Sequence, residues 1–255
     1  MSVAYLCRFN GQCYEKSPLT EFFMDSTKEL LRKGIIVWVL VKWLKESRGV
    51  DMDPKSMLEK VKNRVPDVLG NKDFSKYAIL LPLIEKEGEI HVLFEVRSYD
   101  LRNQPGEICF PGGKIDFQDQ TEEDTAVRET IEELGIKREE ISNIFPLDYI
   151  VSPFGMIVYT FAGIIDPEAE FSPNPPEVDS IFTVPLSFFL EKEPKVYSIN
   201  FDIQPEESFP YDLIAGGENY NWRTRQVDEF FYIYGDKVIW GLTAKILAHF
   251  IEIIR

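Results

Sequence analysis

The stretch from Phe110-Pro111-Gly112-Gly113 to Gly135-Ile136 constrains this 255-residue chain more than any other. Two adjacent glycines make a bend without side chains, and helix signals follow. Thr121 is a good N-cap, Glu122, Glu123 and Asp124 complement the positive end of a helix dipole, and Gly135 stands where the helix should stop. A helix over roughly 121–134 sets Glu129, Glu132 and Glu133 three and four residues apart, on neighbouring positions of one face. Like charges held that close destabilise a helix unless something neutralises them. Arg128 relieves part of the repulsion, and a hard divalent cation would relieve the rest. Magnesium suits such a cluster, because it takes oxygen ligands at about 2.0–2.1 Å and keeps several waters. A water deprotonated near the metal is a competent nucleophile. A bare Glu-x-x-Glu-Glu is most often a solvated acidic face. The preceding glycine bend overturns that reading, since it lets backbone approach a phosphate or a metal closely.

Composition narrows the remaining classes. Against 28 basic side chains stand 43 acidic ones, a formal net charge of −15, and no basic stripe offers itself to a nucleic-acid backbone. An acidic protein that binds an anionic phosphate compound needs local cations, from Arg and Lys or from bound metal. Cys7, Cys13 and Cys109 are odd in number and lack paired metal-ligand spacing, which fits a reducing, cytoplasmic setting. The N-terminal residues show no signal-peptide pattern. The most apolar run, residues 35–41, is far short of the roughly 20 residues that span a bilayer, so no membrane span is expected.

The rest of the chain reads as an alternation of strands and helices. Asp25 and Ser26 cap a helix through 27–33, closed by Gly34, and the β-branched run after it fits a strand or a buried helix. Asp53-Pro54 opens a further helix, with Met57, Leu58, Val61 and Val65 at helical spacing and Pro66 closing it. These features set residues 1–50 apart as an N-terminal extension and leave 51–255 as the main domain. Within it, 78–84 and 90–97 form a hairpin about Glu87-Gly88-Glu89, with His91 at a surface position. Residues 157–163, 180–185 and 230–234 read as strands, 195–222 as turn-rich, and 243–251 as a helix.

Gly113, Asp119, Arg128-Glu129, Glu132-Glu133 and Gly135-Ile136 together resemble the Nudix box. Asp119 stands where the box has glutamate, eight residues rather than seven separate it from Arg128, and Thr130 replaces an aliphatic residue. The inserted residue leaves the carboxylate spacing untouched and the role of Asp119 open. Upstream, Leu93, Arg97-Ser98, Arg102, Gly106 and Phe110-Pro111-Gly112-Gly113 resemble the extra motif of the coenzyme A pyrophosphatase branch. Downstream, Pro176-Glu177-Val178, Val184-Pro185-Leu186 and 239–244 look like the same branch, so the likeness covers about residues 75–250.

The resemblance implies an α+β fold, an α/β/α sandwich around a mixed β-sheet. It implies hydrolysis of coenzyme A or its thioesters to 4′-phosphopantetheine, or its acyl form, and adenosine 3′,5′-bisphosphate, with Mg2+ or Mn2+. Glu129, Glu132 and Glu133 would hold metal with help from Gly113, Arg128 would orient them, and Glu177 is the candidate general base. Arg97, Arg102, Lys114, Phe110 and Gly112 are the expected substrate contacts, the arginines because guanidinium groups bind phosphate in bidentate fashion. The implied partner is a small-molecule nucleotide, with a homodimer as an admissible assembly. Rival readings are a Nudix hydrolase for ADP-ribose, a dinucleotide or an oxidised nucleotide, and a non-catalytic module. Retention of Glu129, Glu132 and Glu133 argues against the last.

Overall fold

The computed structural model describes residues 54–255. The helix and strand expected between residues 25 and 41, Cys7 and Cys13 lie outside them. The chain divides into two compact units, Met1–Val68 and Leu69–Arg255. In the first unit α1 (Pro54–Lys62) forms as Asp53-Pro54 promised, and stops before Pro66.

The second unit is built on a mixed sheet. β1 (Ser75–Lys86) and β2 (Glu89–Arg97) form the expected hairpin, with Glu87 and Gly88 both at positive φ in the turn. β1 pairs in parallel with β7 (Met156–Ile165) from Ser75↔Met156 to Ile84↔Ile165. β7 in turn pairs antiparallel with β5 (Ile141–Pro146) and β6 (Ile150–Ser152). β8 (Val178–Pro185) lies antiparallel along β2.

A split between β1 and β2 positions the site. They pair only from Leu83↔Val92 to Lys86↔Glu89, and then diverge. The gap takes in β3 (Ile108–Cys109), paired with β2 at Glu95 and Val96, and β4 (Gly112–Lys114), paired with β1 from Tyr77 to Ile79. Pro82, which has no amide hydrogen to donate, falls between these two registers of β1.

Helices cover both faces. α2 (Glu122–Leu134) packs Ala126, Val127 and Leu134 against Ala78, Leu80 and Leu93. Burying a side chain such as Leu134 contributes about 1.5–3 kcal/mol. Thr130 is fully buried in that face, and its hydroxyl donates to the Ala126 carbonyl at 2.7 Å, so a polar residue is tolerated where an aliphatic one is usual. On the other face α4 (Gly241–Ile254) lays Ala244, Leu247, Phe250 and Ile251 over Leu81, Val92, Phe94 and Ala162. Between β8 and the C-terminal elements comes a short α3 (Leu186–Glu191). β9 (Lys195–Phe201), β10 (Arg225–Tyr234) and β11 (Lys237–Trp240) form a second, three-stranded sheet, so the start of the region read as turn-rich is a strand. His91 is half-buried between β1 and β8 rather than at the surface.

The end of α2 depends on Gly135. Its φ is +64°, its N–H donates to the Ile131 carbonyl at 3.0 Å, and a Cβ there would lie 1.9 Å from the Ser172 carbonyl oxygen. Gly88 also has positive φ, but nothing lies within 4 Å of a Cβ there. Gly88→Ala should therefore cost only the left-handed backbone penalty, about 1–2 kcal/mol. Gly135→Ala should cost clearly more, because the Ser172 backbone must move as well. Chemical denaturation of the two variants checks this; equal losses would show that the close approach at Ser172 is unimportant.

Candidate active site

The paired glycines fit because each approach would reject a side chain. A Cβ on Gly112 would lie 2.5 Å from the Ala78 carbonyl oxygen, and one on Gly113 would lie 2.2 Å from the Glu129 carboxylate. β4 is thereby pressed between β1 and α2. The Gly112 N–H donates to Glu133 Oε2 at 2.8 Å, joining the bend to the last turn of the helix. Of the box carboxylates, Glu133 is buried, Glu129 is 18% exposed at its side chain and Glu132 is 54% exposed.

Arg128 organises the outer part of this group. Its Nε and one terminal nitrogen donate to the two Asp119 oxygens, both at 3.0 Å, a bidentate pair. Its other terminal nitrogen reaches Glu129 at 2.9 Å and Glu132 at 3.3 Å. Thr125 adds a 2.7 Å hydrogen bond to Asp119. The hydrogen bonds from Arg128 hold the Asp119 carboxyl well below the usual carboxylate range. Asp119 therefore clamps the arginine, and the guanidinium lies among carboxylates as the resemblance implied.

The inner part is desolvated. Burial, then the charge on Glu95, pushes the Glu133 carboxyl well above the ordinary range, against the pull of the Gly112 amide. Burial likewise raises Glu129, with Arg128 opposing it. Glu177 ends the loop between β7 and β8, exposed, its carboxylate accepting from Asn174 Nδ2 at 2.8 Å; its charge acts on Glu95, Glu129 and Glu133. The same loop is tied to the helix by Ser172 and Asn174, whose N–H groups donate to the Leu134 and Glu133 carbonyls, and to β2 by the Ser98 N–H, which donates to the Glu177 carbonyl.

Several expected substrate contacts are also placed. Lys114 is exposed and, with Asp116, Gln118, Arg128, Glu129 and Glu132, lines a cavity of about 290 Å³. Arg97, at a register shift between β2 and β8, keeps a buried Nε without a hydrogen-bond partner, and its charge acts on Glu95 and Cys109. Arg102 is exposed on the loop that follows. Phe110 corrects the sequence reading: it is 5% exposed and stacked on Phe94 at 5.1 Å, a core anchor for the bend and not a substrate contact. Glu95 escaped the sequence reading altogether. It is 1% exposed on β2, and its one visible signal is a lone carboxylate in an otherwise apolar run.

The residues present fit a hard divalent cation. A glycine cradles Glu129, Glu133 is buried with one oxygen not engaged by Gly112, and Glu95 Oε2 is buried without a partner. Among the described residues no three acidic, histidine or cysteine side chains already converge on one point. Arg128 draws Glu129 and Glu132 to itself, and magnesium is commonly held by one or two carboxylates with substrate phosphates completing its shell.

Comparison with known proteins agrees with this geometry. The NUDIX domain family model matches residues 75–200, the segment that contains the split sheet, the bend and α2. The peroxisomal coenzyme A diphosphatase NUDT7 of Mus musculus is 37% identical over 123 residues, 48% of this chain and 51% of that protein, so the match spans about half its length. The mitochondrial coenzyme A diphosphatase NUDT8 of Homo sapiens is 30% identical over 181 residues, 69% of this chain and 68% of that one. An uncharacterized Nudix hydrolase, NudL, of Photorhabdus laumondii is 33% identical over 171 residues, 67% of this chain and 80% of that one. With that identity over that share of a relative, and with the box residues assembled on the bend and helix, this chain belongs to the Nudix family.

Proposed function

We propose that the chain hydrolyses the diphosphate bridge of coenzyme A or its thioesters, giving 4′-phosphopantetheine, or its acyl form, and adenosine 3′,5′-bisphosphate, with Mg2+ or Mn2+. One observation carries the reading: an intact box group, Glu129, Glu132 and Glu133 behind the Gly112-Gly113 bend, follows directly on the arginine-bearing segment Arg97–Gly106. The mouse and human relatives, both named as coenzyme A diphosphatases, support it.

In this reading Glu129, Glu132 and Glu133 hold the cation. When bound, it neutralises charge on the diphosphate and acidifies a nearby water. Arg128, clamped by Asp119, holds Glu129 and Glu132 in place. Glu177 accepts a proton from the attacking water, and its exposure leaves it free to return that proton to solvent. Arg97 and Lys114 supply positive charge to the phosphates of the bridge, and in this reading the exposed Arg102 binds the 3′-phosphate.

Mass spectrometry of products from coenzyme A with Mg2+, beside ADP-ribose and a dinucleoside polyphosphate, tests the substrate. The two named products should dominate; faster turnover of ADP-ribose would overturn the coenzyme A assignment. Glu133→Gln should cost about 3–4 kcal/mol of charge stabilisation, on the order of 10²–10³-fold in kcat, with the circular dichroism spectrum unchanged. Near-normal turnover would remove Glu133 from the metal site. Arg102→Ala should raise KM more for coenzyme A than for its 3′-dephospho form, and equal effects would exclude contact with the 3′-phosphate.

The Asp119–Arg128 clamp adds a pH signature. Its folded-state carboxyl lies below the ordinary value, so its stabilisation is complete above about pH 4 and is lost as pH falls through the folded value. Because Arg128 is a third exposed, the loss in Asp119→Asn should be modest, about 1 kcal/mol at pH 7. Urea unfolding should give a difference from wild type that is constant from pH 7 to 5 and shrinks below about pH 4. A constant difference at every pH would assign the effect to packing.

A further inference from the structure

Glu95 is a charge that the box chemistry does not use. Val92, Phe94 and Val96 on β2 face α4, whereas Leu93 packs in the cluster under α2; strand alternation therefore turns Glu95 toward the side that α2 occupies. Its Oε1 accepts from the Cys109 thiol at 3.1 Å, and its Oε2 is buried with no partner. Such an oxygen costs free energy unless a cation or a donor meets it. Two residues along the strand, Arg97 has the complementary defect, a buried Nε–H with no acceptor.

Neither defect corrects the other, since no ion pair forms between Glu95 and Arg97 among the described residues. An orphaned acceptor and an orphaned donor on one strand are together suited to a ligand of mixed sign, a divalent cation carrying a phosphate. Glu95 is also the charge that acts most strongly on Glu133, whose own second oxygen Gly112 leaves open. We propose that Glu95 is an additional cation-holding carboxylate, forming with Glu133 a second divalent-cation position that faces the diphosphate beside Arg97. Two carboxylates suffice, because phosphate oxygens and water complete the shell of such an ion. The inference rests on the diphosphate-hydrolase reading above, but assigns a residue outside the box.

Mn2+ binding to the full chain, followed by isothermal titration and by the loss of the free-ion paramagnetic resonance signal, tests it without recourse to turnover. Glu95→Gln keeps the shape and the hydrogen-bonding capacity toward Cys109 while removing the charge. It should bind one Mn2+ fewer, or the weaker Mn2+ about 10–100-fold less tightly. Cys109→Ala should bind as wild type does. Without metal, Glu95→Gln should raise Tm, because a buried charge has gone, and it should lose most of the Tm gain that Mn2+ gives wild type. Glu95→Asp, which retains the charge but withdraws the oxygens, should bind more weakly than wild type and so reads the same site if the glutamine variant folds poorly. Wild-type Mn2+ binding in Glu95→Gln beside weakened binding in Glu133→Gln would overturn this inference alone. Wild-type binding in both would overturn the metal assignment of the box as well.

Discussion

The hydrogen bond from the Gly112 amide to the Glu133 carboxylate is the constraint on which the rest of the site depends. It fastens a loop to a helix across a space that only backbone can enter. With Gly112 against the Ala78 carbonyl and Gly113 against Glu129, a side chain at either position would lift the bend off β1 or push α2 away from the sheet. The hairpin of β1 and β2 supplies the space by parting beyond Leu83, so that β3 and β4 take up the hydrogen-bonding groups that the parted strands expose. Fold and site are thus one arrangement: the sheet opens, the bend fills the opening, and the helix lays its carboxylates on the bend.

Electrostatics then explains how a chain of net charge −15 can hold an anion. The nearest cation, Arg128, is committed to Asp119, Glu129 and Glu132, so it orients acidic groups and offers little to a phosphate. Glu133, Glu129 and Glu95 are desolvated and repel one another. On the proposed reading, positive charge for a diphosphate comes from outside this group, from Lys114 and Arg97 and from a bound cation. The acidic surface is no obstacle, because exposed charges farther than about 8 Å from the substrate are largely screened at physiological salt.

The parts legible in sequence are those whose signals are local. Thr121, Asp124 and Gly135 fix the ends of α2 by capping, and carboxylates three and four apart share a face in any helix, so helix and box were readable together. The hairpin about Gly88 was readable for the same reason. β9 was not: Tyr197, Ile199 and Phe201 alternate with Ser198 and Asn200, but the stretch is short, nearly all exposed, and runs on into turn-rich sequence. Glu95 was hidden by the opposite circumstance. β2 is covered on both faces, so its sequence is a continuous apolar run with no visible inside and outside, and one glutamate within it does not declare which way it points. Phe110 misled because a bend next to phosphate chemistry invites a contact role for its aromatic ring, whereas Phe94 and the α4 side of the sheet claim it.

Asp119 joins these threads. Relative to the usual box it is one methylene short and one residue farther from Arg128, yet it forms a bidentate pair with that guanidinium. The Asp119 N–H donates to the Asp116 carbonyl at 3.1 Å, while the Asp116 N–H donates to Asp119 Oδ2 at 3.0 Å, so the segment closes into a compact turn before the helix begins. That turn takes up the extra backbone and presents the shorter side chain to Nε and a terminal nitrogen of Arg128, with Thr125 holding it from the first turn of α2. The site thereby meets a single requirement, that an arginine among carboxylates be held by an acid outside the helix.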